Sequence, residues 1–326
     1  MDLDLLFLGT AGSAPTASRG TSSTLVRRGG DRLLVDCGEG TQRQLLRSEA
    51  GLTDLEHVFL THLHADHVLG LPGMLKTFAL RGRDVPIVVY GPRGTKGLLQ
   101  ALGVVIGRLT YELRIVELGP GDAVTRDGYR LVPFAVKHGG TALGYALRED
   151  ERPGRFDVAA ADALGIPDGP ARGALQRGEE LTLPDGRAVR PSDVLGPARR
   201  GRAVVLTGDT APVATVVDAA AGADVLVHEA TFLAEERARA HETEHSTAGE
   251  AALVAREAGV TLLALTHVSS RYSGSDVEAE ARHLFPNTVV PRDFDVIDVP
   301  LPERGLPELV PRGGRRTRTQ DVGSGT

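Results

Sequence analysis

Four side chains that commonly bind metals lie within six consecutive positions of this sequence. They are His62, His64, Asp66 and His67, in a His-x-His-x-Asp-His arrangement, and the whole chain contains 10 histidines. A polar surface loop could collect histidines by chance, but this density beside an aspartate favours a metal site. Imidazole nitrogens and carboxylate oxygens suit Zn²⁺, with Mn²⁺ as the second candidate. His62 and His64 can point the same way in an extended loop, while Asp66 and His67 diverge from them, so the segment can supply ligands to two adjacent ions.

Two ions need more ligands than this loop offers, and three candidates occur later in the chain. They are His138, Asp209 and His267, which follow the apolar runs 129–136, 203–207 and 262–266. Taken singly, each is more often a cap or a hydrogen-bonded histidine. Their repeated position at the end of a predicted strand groups them with the first loop.

The elements that must position these residues predict an α/β protein. The apolar run 57–61 predicts a strand that ends at His62, and the spacing of 67–81 predicts a helix directly after the loop. Other apolar runs alternate with helical patterns along the chain, which is typical of sheets buried under helices. In such a fold the chemistry lies at the strand ends.

Composition narrows the class of protein. A net charge of −6 argues against holding nucleic acid by charge alone, although bound divalent cations supply a local positive field. The single cysteine, Cys37, excludes an intramolecular disulfide and a cysteine-based zinc finger. We find no signal peptide and no apolar run long enough to span a membrane, so we expect a cytoplasmic protein without a membrane partner.

Two segments depart from the pattern of a packed core. Residues 148–202 are rich in Pro, Gly, Asp and Arg, which indicates either disorder or a functional protrusion. Residues 303–326 are rich in Pro, Gly and Arg and then in Ser, Gly and Thr, which predicts a disordered tail. We therefore predict one large domain over 1–302, with 148–202 inserted in it.

The order of these motifs resembles the metallo-β-lactamase superfamily, and more closely its ribonuclease Z family. Besides the histidine loop, the motifs that carry the resemblance are Asp36-Cys37-Gly38-Glu39-Gly40-Thr41-Gln42, Thr207-Gly208-Asp209-Thr210, His228-Glu229-Ala230-Thr231 and His245-Ser246-Thr247. The resemblance extends from Leu5 to about Val299. It implies a four-layer αββα fold with two Zn²⁺ per subunit at the strand ends.

The resemblance also implies which residues bind each ion. His62, His64 and His138 would bind one zinc, and the other would be bound by Asp66, His67 and His267. Asp209 would bridge the two ions. Asp66 would also act as general base, and His245, oriented by Glu229, would donate a proton to the leaving oxygen. Without the resemblance, we would interpret Glu229 as an ordinary carboxylate at the start of a helix and His245 as an exposed helix cap.

The implied activity is a zinc-dependent endoribonuclease that removes the 3′ trailer from precursor tRNA. Its products are a tRNA 3′-hydroxyl and a trailer 5′-phosphate, and DNA is not an expected partner. Segment 148–202 corresponds to the flexible arm with which this family binds tRNA, and the family implies a homodimer. Pro15 and Arg19 are retained in a loop where the family usually also has Lys and Asn, which bears on how a 3′-CCA end is treated.

Two alternatives remain. A phosphodiesterase of the same superfamily could act on a small phosphodiester such as a cyclic nucleotide, and it would need no arm. An inactive RNA-binding or scaffold protein could retain the fold. The complete set of candidate ligands argues against the latter, because loss of function usually removes ligands.

Overall fold

Two large sheets contain the strands that lead to the predicted site. The structure is a computed structural model that describes residues 1–52 and 54–314. The first sheet contains β1 Leu3–Gly9, β2 Ser23–Arg28, β3 Asp31–Val35, β4 His57–Phe59, β5 Ile87–Gly91, β6 Leu113–Glu117, β16 Val296–Asp298 and β17 Glu308–Val310. Their order is β17-β16-β1-β2-β3-β4-β5-β6. Strands β3 to β6 are parallel, so their carboxyl ends meet at one edge.

The second sheet supplies the remaining strand ends. It contains β7 Val124–Arg126, β8 Tyr129–Ala135, β9 Leu143–Glu149, β12 Ala203–Leu206, β13 Val225–Glu229, β14 Leu262–Thr266 and β15 Thr288–Val289. Their order is β15-β14-β13-β12-β9-β8-β7. Because β12, β13 and β14 are parallel neighbours, the residues that follow them lie side by side.

The two sheets pack face to face with helices on their outer surfaces. Phe59 meets the edge of Tyr145 at a centroid distance of 5.4 Å, and Tyr145 donates a hydrogen bond to Leu60 O. The helices α1 Thr41–Arg47, α2 Ala65–Val68, α3 Gly70–Leu80, α4 Thr95–Ala101 and α5 Gly103–Ile106 accompany the first sheet. The helices α8 Ala214–Ala220, α9 Arg237–Glu242, α10 Ala248–Ala258 and α11 Gly274–Leu284 accompany the second. The αββα fold predicted from the sequence is therefore confirmed.

Apolar clusters on the outer faces of the sheets hold these helices in place. Leu34 of β3 and Val89 of β5 belong to one cluster with Leu75 of α3. Leu226 of β13 belongs to the other, with Ala251 of α10. The small alanines of α10 let the helix lie close to its sheet, which fits a chain with 4% aromatic residues.

Residues 126–130 and 148–201 form a separate compact unit. It contains α6 Val158–Ala163, α7 Pro170–Gln176, and the hairpin β10 Leu181–Thr182 and β11 Ala188–Val189. A small apolar core holds it together, made of Ala161, Ile166, Leu175, Leu183, Val189 and Val194. The weak apolar pattern of this segment thus corresponds to a small core.

The predicted disordered tail is wrong at Glu308–Val310. These residues form β17, which pairs with β16 in antiparallel register and buries Val310. A three-residue strand is too short to produce a readable alternation in the sequence. Residues 315–326 of the predicted tail lie outside the described residues. Within 1–52 and 54–314, no helix has both the length and the apolar character needed to cross a membrane.

Candidate metal centre

The histidine loop is anchored through a buried carboxylate at the end of β3. Asp36 accepts hydrogen bonds from Thr61 N at 2.8 Å and from Thr61 Oγ1 at 2.9 Å. It also accepts one from His67 Nδ1 at 2.8 Å. Asp36 has a φ of 60°, a conformation that Asp and Asn adopt more readily than other side chains. The two neighbouring strand ends, β3 and β4, are thereby fixed to each other next to His62.

Three imidazoles form the first ligand cluster. The ligand atoms of His62, His64 and His138 all lie within 4.8 Å of one another. His64 Nδ1 is 3.0 Å from His138 Nε2. His62 Nε2 is buried and has no hydrogen-bond partner among the described residues, and its nearest acidic neighbour is Asp209 Oδ2 at 3.8 Å. A buried nitrogen of this kind needs a partner, and a cation between the three rings would provide one.

The second cluster combines two carboxylates with two imidazoles. It consists of Asp66, His67, Asp209 and His267, whose ligand atoms also lie within 4.8 Å of one another. Asp209 Oδ2 is 3.3 Å from His67 Nε2 and 3.2 Å from His267 Nε2. It is also 3.8 Å from the Nε2 atoms of His62 and His138, so this oxygen lies between the clusters.

Hydrogen bonds at the opposite ring nitrogens orient the imidazoles. His67 Nδ1 donates to Asp36, and His138 Nδ1 donates to Glu244 O at 3.0 Å. His267 Nδ1 is 2.8 Å from Thr231 Oγ1, which itself donates to a carboxylate and must therefore accept from this ring. Each bond places the proton on Nδ1 and turns Nε2 towards the clusters, as in metal-binding histidines. The donor set and its orientation fit divalent cations.

The electrostatics of the centre also favour cations. Burial raises the pKa of Asp66, but the hydrogen bond to His267 and the nearby imidazoles outweigh it and lower the pKa to about 2. Burial opposes ionisation of Asp209 as well, yet His267 and His67 hold its pKa well below the usual range. Burial and neighbouring rings lower the pKa of His62 well below its ordinary value, which leaves this imidazole neutral. Burial lowers the pKa of His67, but the charge of Asp209 outweighs it and holds that pKa well above its ordinary value, so a cation that binds this ring displaces a proton.

A buried carboxylate–imidazole pair lies beside the two clusters. Glu229 is 1% exposed and accepts from His245 Nδ1 at 2.8 Å. It also accepts from the backbone N–H groups of Thr210 and Ser246 and from the hydroxyl of Thr231. Burial lowers the pKa of His245, but the charge and hydrogen bond of Glu229 outweigh it and raise the pKa to about 9. The His245 ring lies 5.4 Å from that of His267 and 4.6 Å from that of His138.

Comparison with known proteins shows the family to which the chain belongs. Ribonuclease Z of Gemmatimonas aurantiaca is 50% identical to the chain over 93% of its length and 98% of the relative. Ribonuclease Z of Myxococcus xanthus is also 50% identical, over 93% of the chain and 99% of the relative. The chain belongs to the ribonuclease Z family. The family model described as anti-Pycsar protein Apyc1 matches residues 3–96, which is less than half of the chain.

Two solved structures have folds similar to that of the chain. The short form of human tRNase Z superposes with a TM-score of 0.67 at 26% identity, covering 91% of this chain and 99% of that one. The metallo-β-lactamase fold protein YhfI from Bacillus subtilis gives a TM-score of 0.66 at 21% identity, over 91% and 100% of the two chains. The second likeness shows the fold alone, and it is the fold predicted from the sequence motifs.

The structure brings together every candidate residue named from the sequence and adds residues that the sequence did not assign a role. The added residues, Asp36, Thr231 and Glu244, hold ligand rings from outside the clusters. Asp36 and Thr231 belong to the family motifs Asp36–Gln42 and His228–Thr231, so the sequence contained a signal for both. Glu244 has no such signal, because its carbonyl reaches His138 across 106 positions of sequence.

Proposed function

We propose that this ribonuclease Z family member is a two-zinc endoribonuclease that removes the 3′ trailer from precursor tRNA. The products would be a tRNA 3′-hydroxyl and a trailer 5′-phosphate. The chain is a metal-dependent tRNA 3′ endonuclease by family, and we propose how many ions it binds and which residues act in catalysis. The observation that carries them is the position of Asp209 between two ligand clusters, next to the Glu229–His245 pair.

The two clusters would each hold one ion. His62, His64 and His138 would bind the first, and Asp66, His67 and His267 the second, with Asp209 shared. We propose Zn²⁺, with Mn²⁺ as the alternative, because imidazole and carboxylate ligands suit both. When bound, such cations stabilise negative charge on phosphoryl oxygens and make water easier to deprotonate.

Asp66 is our candidate for the general base. Its carboxylate side chain is 13% exposed, compared with 3% for Asp209, so it is the acidic group of the centre that solvent reaches more easily. It remains ionised at neutral pH and can accept a proton from an attacking water. The backbone N–H of Ser13 donates to its Oδ2 atom at 3.0 Å and keeps the carboxylate oriented.

His245 is our candidate for the proton donor to the leaving 3′ oxygen. Its Nδ1 is engaged by Glu229, which leaves Nε2 as the nitrogen that can give up a proton. A pKa of about 9 keeps the ring protonated at neutral pH. Glu229 has no access to solvent, so it acts as a positioning residue that fixes the ring and stabilises its charge.

The compact unit at 148–201 is our candidate for the tRNA-binding arm, and we propose a cytoplasmic homodimer. The arm would contact phosphates and the shape of folded tRNA rather than base edges. Deleting 148–202 should raise KM for precursor tRNA while sparing hydrolysis of a small chromogenic phosphodiester. An equal loss of both activities would count against an arm that only binds substrate.

The deciding experiment is incubation of zinc-loaded protein with a precursor tRNA that carries a 3′ trailer. We expect a cut next to the discriminator base with a 3′-hydroxyl on the tRNA, and no cut with Asp66→Ala. Intact precursor, together with hydrolysis of a cyclic nucleotide, would favour the small-phosphodiester alternative. The ribonuclease Z relatives do not favour that alternative.

A further inference from the structure

A groove beside α1 is not used by the metal centre or by the Glu229–His245 pair. Two cavities of about 360 and 230 Å³ share Arg47, Phe294 and Arg312 in their walls. The larger one is also lined by the loop Pro15–Gly20 and by Arg43. We call this feature the α1 groove and define it by these residues.

The α1 groove carries positive charge in a chain whose net charge is −6. Arg43, Arg47 and Arg312 are exposed, and among the described residues their guanidinium groups form no ion pair with a carboxylate. The guanidinium group of Arg47 donates to Gln44 Oε1 at 3.2 Å, and the backbone N–H of Arg312 donates to Asp295 Oδ1 at 2.9 Å. Arg43 and Arg47 are four residues apart, so they project from the same face of α1. Three guanidinium groups that are not neutralised by an ion pair favour, along one groove, a ligand with several negative charges.

The acidic groups near the α1 groove do not cancel this charge. Asp293 is buried and accepts hydrogen bonds from Thr10 Oγ1, Gly20 N and Gln44 Nε2. Glu49 forms an ion pair with Arg27 at 2.8 Å. Glu39 is exposed, and it is one carboxylate against three guanidinium groups.

Two of these arginines are held in place by an aromatic ring. The guanidinium carbon of Arg312 lies 4.3 Å from the centroid of Phe294, and that of Arg47 lies 5.2 Å away. Phe294 is itself buried and fixed by a backbone hydrogen bond to Phe7 O. The planar guanidinium groups are therefore oriented before any ligand arrives, and such planes can stack on unpaired bases.

The α1 groove begins next to the metal centre. Ser13, at the start of the loop that forms one wall, donates its N–H to Asp66 Oδ2. Gly38, which precedes α1, lies so close to Asp66 that an added Cβ would be 2.2 Å from the Asp66 carbonyl oxygen. From there Arg43 and Arg47 follow α1 away from Asp66, one helical turn apart, about 6 Å along the axis.

We propose that the α1 groove binds the single-stranded RNA on the 3′ side of the scissile bond, through its phosphates. This inference rests on the proposed function. Single-stranded RNA can enter adjoining cavities of a few hundred Å³ one nucleotide at a time, so the size of the α1 groove favours an unpaired strand. The tRNA side of the cut soon enters the acceptor helix, whereas the trailer continues as a single strand. A basic groove with stackable planes is the usual means of holding such a strand without reading its sequence.

The test compares precursor tRNAs with trailers of one and eight nucleotides. For the unaltered protein we expect KM to be lower for the longer trailer. In the double variant Arg43→Gln and Arg47→Gln, this advantage should disappear. Both KM values are measured on the same protein, so a lower fraction of folded enzyme does not change their ratio. The variant Arg256→Gln, at an exposed site in the last turn of α10, is the matched control and should keep the ratio.

Salt dependence gives a second measurement that needs no catalysis. A labelled trailer oligonucleotide bound to the zinc-loaded protein should lose affinity as salt rises. The slope of log affinity against log salt should be smaller by about 1.4 in the double variant, since each single-strand phosphate contact contributes about 0.7. An unchanged slope and an unchanged KM ratio would overturn the proposal. Absence of any precursor cleavage would instead overturn the proposed function, while the binding measurement would still decide the groove.

Discussion

Replacing Asp36 with Asn should weaken metal binding without removing any ligand. Asn tolerates the φ of 60° that Asp36 adopts, so the backbone should keep its course. The amide oxygen must stay on the side of Thr61 N, because a backbone N–H can only donate. This places the amide NH₂ opposite His67 Nδ1, which then has to accept a hydrogen bond. The ring proton moves to Nε2, the nitrogen that faces Asp209 and the second cluster.

The expected size of the effect follows from this change of tautomer. To bind an ion, His67 must return to the Nδ1–H form and give up its hydrogen bond to the amide. Loss of such an outer contact to a metal-binding histidine lowers metal affinity by about 10- to 100-fold, or about 1.4–2.7 kcal/mol. The effect should fall on the cluster that contains His67. Asp36 is connected to the first cluster only indirectly, because Thr61 contacts both Asp36 and His62.

The assay is a titration of metal-free protein with Zn²⁺ in competition with a chelator of known affinity. We expect one binding step to weaken in Asp36→Asn and the other to stay. Asp224→Asn is the control, because Asp224 is a buried carboxylate that accepts from Ala203 N at the opposite end of β12. If Asp36→Asn binds both ions as the unaltered protein does, then Asp36 does not set the tautomer of His67.

Three further predictions test other contacts of the centre. Glu229→Gln removes the charge that raises the pKa of His245 to about 9, so the activity should begin to fall at a lower pH than in the unaltered protein. At pH 8 the protonated fraction of His245 should drop by up to about 30-fold. A pH–rate profile whose alkaline limb does not move would contradict this. Asp209→Ala removes the shared ligand and should abolish binding of two ions, whereas near-normal zinc content and activity would sink that assignment. Glu244→Ala should weaken the first cluster, because the Glu244 side chain accepts from Gly139 N at 2.8 Å while its carbonyl holds His138. Glu244→Gln keeps an acceptor and should restore most of the zinc affinity measured by the same titration.

The pair of His245 and Glu229 also makes the stability of the fold depend on pH. Its pKa is raised in the folded protein, so the protonated pair with Glu229 stabilises the fold fully below the unfolded value of about 6.5. That contribution is lost as the pH rises through about 9. In the absence of metal, the melting temperature should therefore fall as the pH rises from about 6.5 to about 9. It should fall less in Glu229→Gln.

Local spacing in the sequence was enough to predict the histidine loop. The spacing from His62 to His67 places four candidate ligands on one short loop, and the apolar run before it and the helical pattern after it predict how that loop is held. Motifs at the strand ends identified the family, and with it the four-layer fold. Periodicity alone could indicate only an α/β protein, because the same pattern of strands and helices is compatible with several sheet orders.

Contacts between residues that are far apart in the sequence depend on how the two sheets fold and pack. Asp209 reaches both clusters because β12 pairs with β13, which in turn pairs with β14, and because the two sheets pack with their strand ends together. Three other features depend in the same way on which segments become neighbours. They are the hydrogen bond from His138 to the Glu244 carbonyl, the short strand β17 and the α1 groove. Local spacing is set by covalent geometry, whereas these contacts arise from packing between segments that are far apart in the chain.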